Sequence, residues 1–114
     1  MRLNQDLVRT LLLYIEGITD GQKNFLVESF PSDFPDEDPV VITYHLKYLL
    51  DAGLVEGIRG YIIDITPMGR EYLDNIRDES IWDATKEKLQ PVGQVALDVI
   101  SSVAKSFLLS KLGL

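Results

Sequence analysis

The chain has 114 residues, 46% hydrophobic and 25% charged, which is the composition of one compact domain that buries its own core. The absence of cysteine excludes disulfides, thiolate zinc sites and a cysteine nucleophile, and the single histidine, His45, removes most other transition-metal sites. Eighteen acidic residues against eleven basic ones give a net charge of −7, so any DNA contact must come from a local patch. The polar start Met1–Asp6 lacks the apolar core of a signal peptide, so we expect a cytoplasmic protein.

The first 38 residues predict one helix, one short strand and a loop. Apolar residues recur at helical spacing and indicate an amphipathic helix over residues 4–16, which Gly17 ends. The run Asn24–Glu28 has enough β-branched and aromatic residues for a strand. Two prolines and four acids in Pro31–Asp38 predict an exposed loop.

The second helix has the clearest boundaries in the chain. Asp38 suits the N-cap, Pro39 the first helical position, and Gly53 the position after the C-cap. The predicted inward stripe of this helix is Ile42, Leu46, Leu49 and Leu50, and the residues predicted to face away are Val41, Tyr44, Lys47, Tyr48 and Asp51.

A hairpin and three further helices follow. Two β-like runs joined by a glycine-containing turn between residues 54 and 66 predict a short hairpin. Thr66-Pro67 predicts the start of a third helix that continues to Ile76. Ser80–Asp83 is typical of a capping box for a helix toward Leu89, and the last helix is expected over Val95–Leu112.

This order of elements is that of a winged-helix module. His45–Val55 resembles the end of a winged-helix recognition helix, where Gly53 lets the chain turn into the first wing strand. Thr66–Glu71 resembles the exit from the wing. We therefore predict a mostly helical α+β fold: a winged helix-turn-helix-like domain with a small antiparallel β hairpin over residues 1–77, and a C-terminal helical extension over residues 78–114.

A second set of informative segments extends along nearly the whole chain: Asp6–Arg9, Tyr44–Leu46, Ala52–Leu54, Ile76–Trp82, Thr85–Lys88 and Leu97–Val99. In these segments the chain resembles a family of short phage and prophage proteins that is catalogued as a domain of unknown function. This resemblance implies a winged-helix-like fold and a phage-associated bacterial setting, and it brings no activity, ligand or catalytic residue.

The leading functional hypothesis is a small regulatory protein that binds DNA as a dimer. A recognition helix in the major groove must reach phosphates or base edges, and a wing tip can lie on the backbone or in a minor groove. The candidate DNA contacts are Thr43, Tyr44, Lys47, Tyr48 and Arg59. Four acidic residues near the same helix oppose such a contact: Asp36, Glu37, Asp38 and Asp51.

The alternative hypothesis is a protein-interaction module, such as a phage–host adaptor or inhibitor, that does not bind DNA. Val41, Tyr44 and Tyr48 lie on the side of the second helix that faces away from its core stripe. Either the C-terminal helices cover this side as ordinary core, or it anchors another protein, since tyrosine on a rigid helix is a favoured interface residue.

The last helix carries more apolar surface than one side of a small domain usually covers, so we expect a homodimer. The predicted dimer contacts are Val99, Ile100, Val103 and Phe107. Charged residues interrupt this helix and its length barely reaches a membrane span, so no membrane association is expected. With one histidine, no phosphate loop and no nucleophile elbow, we expect no enzyme, metal, cofactor or small-molecule substrate.

Overall fold

A computed structural model describes all 114 residues of the chain as two compact units, Met1–Arg70 (unit 1) and Glu71–Leu114 (unit 2). The boundary lies seven residues before the one expected between residues 77 and 78. The prediction of a mostly helical α+β fold with a small antiparallel sheet is confirmed. In chain order the elements are α1 (Gln5–Ile18), β1 (Phe25–Leu26), a 3₁₀ helix (Val27–Asp33), α2 (Pro39–Asp51), β2 (Val55–Ile58), β3 (Tyr61–Ile65), α3 (Pro67–Ile76), α4 (Glu79–Leu89) and α5 (Leu97–Lys111).

Helix α1 packs one apolar face into the core of unit 1. The Asn4 side chain accepts a hydrogen bond from the Leu7 N–H at 3.1 Å and so caps the helix. The predicted end at Gly17 is wrong, because the helix continues to Ile18. It ends at Thr19, whose backbone is extended with a φ of −88° and a ψ of 145°, while the Thr19 N–H and hydroxyl both lie within hydrogen-bond distance of the Ile15 carbonyl. The buried residues are Leu7, Val8, Leu11, Leu12 and Ile15.

The segment after α1 forms a 3₁₀ helix where the sequence predicted strand and loop. Strand β1 keeps only two residues of the predicted run, because the chain turns into the 3₁₀ helix at Val27. The predicted exposed loop is therefore wrong for its first three residues, 31–33. Phe30 lies buried one residue before it, and the Tyr14 ring packs edge-on to the Phe30 ring with centroids 6.0 Å apart.

Helix α2 has the predicted boundaries. Asp38 accepts a hydrogen bond from the Val40 N–H at 2.8 Å, Pro39 opens the helix, and Gly53 has a φ of 75° after its end. Three residues of the predicted stripe are fully buried, while Leu50 is only half-buried. The buried three are Ile42, Leu46 and Leu49.

The predicted hairpin is confirmed and belongs to a three-stranded antiparallel sheet with the order β1–β3–β2. Its turn consists of Arg59 and Gly60, which have φ values of 49° and 83°. Two consecutive left-handed residues are the mark of a type I′ turn, whose twist matches that of the flanking strands. Arg59 is the one non-glycine residue with positive φ, so its backbone is strained.

This strain leads to a prediction about Arg59. Asparagine tolerates the left-handed conformation better than arginine, so we expect Arg59→Asn to raise the free energy of unfolding by about 1 kcal/mol. The control is Arg59→Gln, which removes the same charge but keeps the backbone cost. Urea unfolding followed by circular dichroism measures both variants, and equal stability of the two would contradict the explanation.

Unit 2 contains α4 and α5, and its caps differ from those predicted. Asp78, not Ser80, caps α4, accepting from the Ile81 N–H at 3.0 Å and from the Ser80 hydroxyl at 2.6 Å. Lys111 at the end of α5 lies 3.2 Å from the other Asp78 oxygen. Helix α5 is shorter than expected at both ends. The buried residues of the two helices are Ile81, Trp82, Thr85, Ile100 and Ala104.

The contacts of Asp78 lead to a prediction about how the stability of unit 2 depends on pH. Hydrogen bonds from Ser80, from the Ile81 N–H and from Lys111 hold the pKa of Asp78 well below its ordinary value. A carboxyl whose pKa is lower in the folded chain than in the unfolded chain stabilises the fold at pH values above its unfolded-state pKa. This stabilisation is lost as the pH falls through the folded-state pKa. We expect Asp78→Asn to lower the urea midpoint at pH 7 and to leave it nearly unchanged in strong acid. Asp83→Asn is the control, and an equal loss at both pH values would contradict the prediction.

Candidate interaction surface on the second helix and the hairpin

The exposed side of α2 is formed by Val40, Tyr44, Lys47 and Asp51, which we call the α2 face. Their spacing of four, three and four residues places them on one side of the helix. Val40 is 63% exposed and Tyr44 is 42% exposed, so neither is covered in the single chain. The face therefore combines two apolar side chains with one pair of opposite charges.

Of the predicted protein contacts, only Tyr44 is exposed. Val41 and Tyr48 are half-buried, and burial raises the pKa of the Tyr48 phenol. The sequence-based prediction missed Val40, which lies one turn before Tyr44. The signal was available in the helical spacing, because Val40 and Tyr44 are four residues apart.

Two of the predicted DNA contacts already have partners within the helix. The Lys47 ammonium lies 3.7 Å from the Asp51 carboxylate, which reduces the net positive charge of the face. The Thr43 hydroxyl is 3.1 Å from the carbonyls of both Pro39 and Val40, so its proton is directed at the backbone. A nucleic acid would have to compete with these contacts.

Arg59 lies at the hairpin tip and has no carboxylate within 4 Å. Beside it, Tyr61 pairs with Leu26 on one side and with Ile58 on the other, and all three are exposed. Directly opposite residues in antiparallel strands have side chains on the same side, so these three form an apolar row across the sheet. Arg59 thus borders an apolar surface.

An open groove of about 420 Å³ lies between the end of α2 and the hairpin. Its floor requires Gly57, since a Cβ there would lie 2.5 Å from the Tyr61 carbonyl oxygen and 2.6 Å from a Leu50 methyl. The groove is lined by Leu50, Val55, Glu56, Gly57, Ile58, Arg59, Gly60, Tyr61 and Thr66. It holds no group of three or more metal-ligating side chains.

The charge around the α2 face is negative. Unit 1 has eleven acidic and six basic residues. Three consecutive acids, Asp36–Asp38, lie immediately before the helix and are exposed, and none has a basic group within 4 Å. This charge repels phosphate and attracts cations.

His45 is buried beneath the α2 face and was not in the predicted core stripe. It is 1% exposed. Its Nε2 accepts a hydrogen bond from the Asn4 N–H at 2.9 Å, so its Nδ1 carries the proton and donates to the Val41 carbonyl at 2.8 Å. The neutral ring joins the start of α1 to α2. Its position three residues after Ile42 was the signal for burial.

Helix α5 uses much of its apolar surface inside unit 2. Ile100 is 3% exposed, so the prediction that it contacts a second chain is wrong: it is part of the core. Val103 and Phe107 are half-buried, and Val99 is exposed. On the exposed side of α5, Val99 is accompanied by Ser102, Ser106 and Ser110. No helix of the chain combines the length and apolar character needed to cross a membrane.

Comparison with known proteins identifies relatives of the chain. The model of a protein family described as "Hypothetical protein (DUF2513)" matches residues 2–95. The chain is also similar to an uncharacterized protein from Haemophilus influenzae, with 30% identity over 117 residues that cover 95% of this chain and 96% of the relative. No solved structure matches the chain.

Proposed function

The chain belongs to the DUF2513 family, and we propose that its unit 1 is a winged helix that binds another protein through the α2 face. The strand order β1–β3–β2, with α2 directly before the β2–β3 hairpin, supports the winged-helix assignment. The 3₁₀ helix occupies the place of the second helix of such a domain. Winged helices bind either DNA or other proteins, so the fold alone does not distinguish the two functions. The chemical character of the α2 face is what distinguishes them.

The observation that carries the protein-binding proposal is the exposed pair Val40 and Tyr44 on a helix that directly follows three exposed acids, Asp36–Asp38, which have no basic partner. Tyrosine is enriched among the residues that dominate binding energy, because it buries a large ring at low entropic cost. A DNA-binding helix needs positive charge at this place, and Lys47 is paired with Asp51. The face is therefore better suited to a protein than to phosphates.

DNA binding remains the second candidate, and Arg59 is the observation that favours it. Its side chain is exposed at the hairpin tip, and its backbone is held in a strained conformation that is typical of functional sites. Together with Thr43, Tyr44, Lys47 and Tyr48 it would form the contact of a dimeric regulator. Each phosphate contact would contribute about 0.9 to the salt slope of binding, so such binding should weaken as the salt concentration rises.

Photo-crosslinking tests the protein-binding proposal. A photoreactive phenylalanine derivative replaces Tyr44 in the full chain, and the control carries it at Tyr61, a tyrosine of nearly equal exposure on the sheet. We expect irradiation in the bacterium to join position 44, but not position 61, to one discrete protein. Equal adducts at both positions, or none at position 44, would count against the α2 face.

Capture of fragmented bacterial and phage DNA at two salt concentrations tests the second candidate. We expect no retention by the purified chain at either concentration. Retention that weakens with salt and is lost in the double variant Lys47→Glu/Arg59→Glu would instead support a DNA-binding regulator. Light scattering on the same samples tests the predicted homodimer. A monomer at micromolar concentration would contradict that prediction.

A further inference from the structure

We propose that the partner of the α2 face is a protein segment that presents lysine or arginine beside a large apolar side chain. This inference rests on the proposed function and narrows it to one chemical class of partner. It is carried by the arrangement of apolar and charged groups along the face, which differs between the two ends of α2.

One of the two apolar side chains of the face, Tyr44, packs against a neighbour that is itself fixed. Val40 and Tyr44 are one turn apart, so their side chains are neighbours along the helix. The Tyr44 ring lies edge-on to the His45 ring, with centroids 5.8 Å apart and planes at 69°. Because two hydrogen bonds hold His45 in place, Tyr44 packs against a fixed neighbour and loses little freedom when it is covered.

Acidic residues precede the α2 face at its start, whereas the charges within the face are balanced. Asp36 and Glu37 are exposed, lie just before the first turn of α2 and have no basic partner within 4 Å. At the other end the Lys47–Asp51 pair carries no net charge. A partner that places its cations toward Asp36 and its apolar side chain on Tyr44 satisfies both parts at once.

The charge also sets the range of the attraction. Opposite charges on a protein surface attract one another over about 8 Å at physiological salt, so only cations that come close to Asp36 and Glu37 gain from them. An acidic or uncharged apolar segment gains nothing there. The geometry therefore discriminates between partners of equal apolar content.

Two synthetic helical peptides test the inference. Both have the same leucine positions, and their polar positions are lysine in one and glutamate in the other. We expect the lysine peptide, added to the ¹⁵N-labelled full chain, to shift the amide resonances of α2, with Val40 and Tyr44 among the most affected. We expect the glutamate peptide to cause no shift.

Three variants separate site-specific binding from general charge attraction. In Asp36→Asn/Glu37→Gln we expect binding of the lysine peptide about tenfold weaker, because two surface charges are lost. Tyr44→Ser should weaken it to a similar extent, and its exposed position leaves the fold intact. The control Glu71→Gln/Glu87→Gln removes two exposed acids of unit 2 and should change the affinity less than twofold.

Equal affinity for both peptides, an equal loss in the control variant, shifts confined to residues outside the segment 36–51, or no binding of the lysine peptide would each overturn the inference. These outcomes differ from a failure of the proposed function. If position 44 still crosslinks to one protein while the lysine peptide has no preference, the protein-binding proposal stands and only the basic character of the partner is lost.

Discussion

Gly69→Ala is expected to unfold unit 1 or to lower its free energy of unfolding by at least about 4 kcal/mol, an unusually large effect for a single methyl group. A Cβ at this position would overlap the Leu54 carbonyl oxygen and lie 3.0 Å from a methyl of Ile65. The backbone at Leu54 cannot move easily to make room for this Cβ. The Leu54 carbonyl accepts from the Thr66 N–H at 3.1 Å, and the Leu54 N–H donates to the Leu49 carbonyl at 2.9 Å.

The sign of this effect is opposite to that of an ordinary helical glycine. Alanine normally stabilises a helix by about 1 kcal/mol relative to glycine. A Cβ added to Gly17, inside α1, would meet no atom within 4 Å, so Gly17→Ala is the control and should stabilise the chain. Urea unfolding followed by circular dichroism measures both variants. A Gly69→Ala chain as stable as the wild type would show that α3 does not approach Leu54 so closely.

His45→Ala is expected to lower the free energy of unfolding by about 3 kcal/mol. The variant loses a buried ring and leaves the Asn4 N–H without its acceptor, and both losses destabilise the fold. His45→Phe should cost less, because it fills the space and loses only the hydrogen bonds. The control, Lys47→Ala on the exposed side of the same helix, should stay within about 0.5 kcal/mol of the wild type. A loss below about 1 kcal/mol in His45→Ala would contradict the role of the ring.

Elements that depend on local signals could be predicted from the sequence. The limits of α2 follow from the Asp38 cap, from Pro39 and from Gly53, which act on neighbouring backbone groups. The hairpin is similar, since its turn residues fall at Arg59-Gly60 within the predicted segment. These features need no knowledge of what the elements pack against.

Elements that depend on distant contacts could not be predicted. The acids and prolines of Pro31–Asp38 predict an exposed loop, yet residues 31–33 belong to a 3₁₀ helix, and the ring of the preceding Phe30 is buried against Tyr14, sixteen residues earlier in the chain. The partner of His45 is the backbone of Asn4, forty-one residues away. A burial pattern along one segment carries no information about such partners.

The predicted outward side of α2 is rotated slightly about the helix axis from the exposed side in the structure, and this error has one cause. The predicted core stripe of α2 contained Leu50 and omitted His45, whereas His45 is buried and Leu50 only half-buried. Exchanging these two residues rotates the inward direction of the helix. The outward side then moves from Val41 to Val40, while Tyr44 stays exposed in either case.

The position of the single tryptophan makes the two units separately observable. Trp82 is buried in unit 2, with the Lys86 ammonium 5.7 Å from its ring centre, whereas four of the five tyrosines belong to unit 1. Intrinsic tryptophan emission therefore follows the unfolding of unit 2, while tyrosine emission excited at shorter wavelength is dominated by unit 1. If a variant such as Gly69→Ala shifted the unfolding transition seen by tyrosine emission and left that seen by tryptophan emission unchanged, the two units of this short chain would be shown to fold independently.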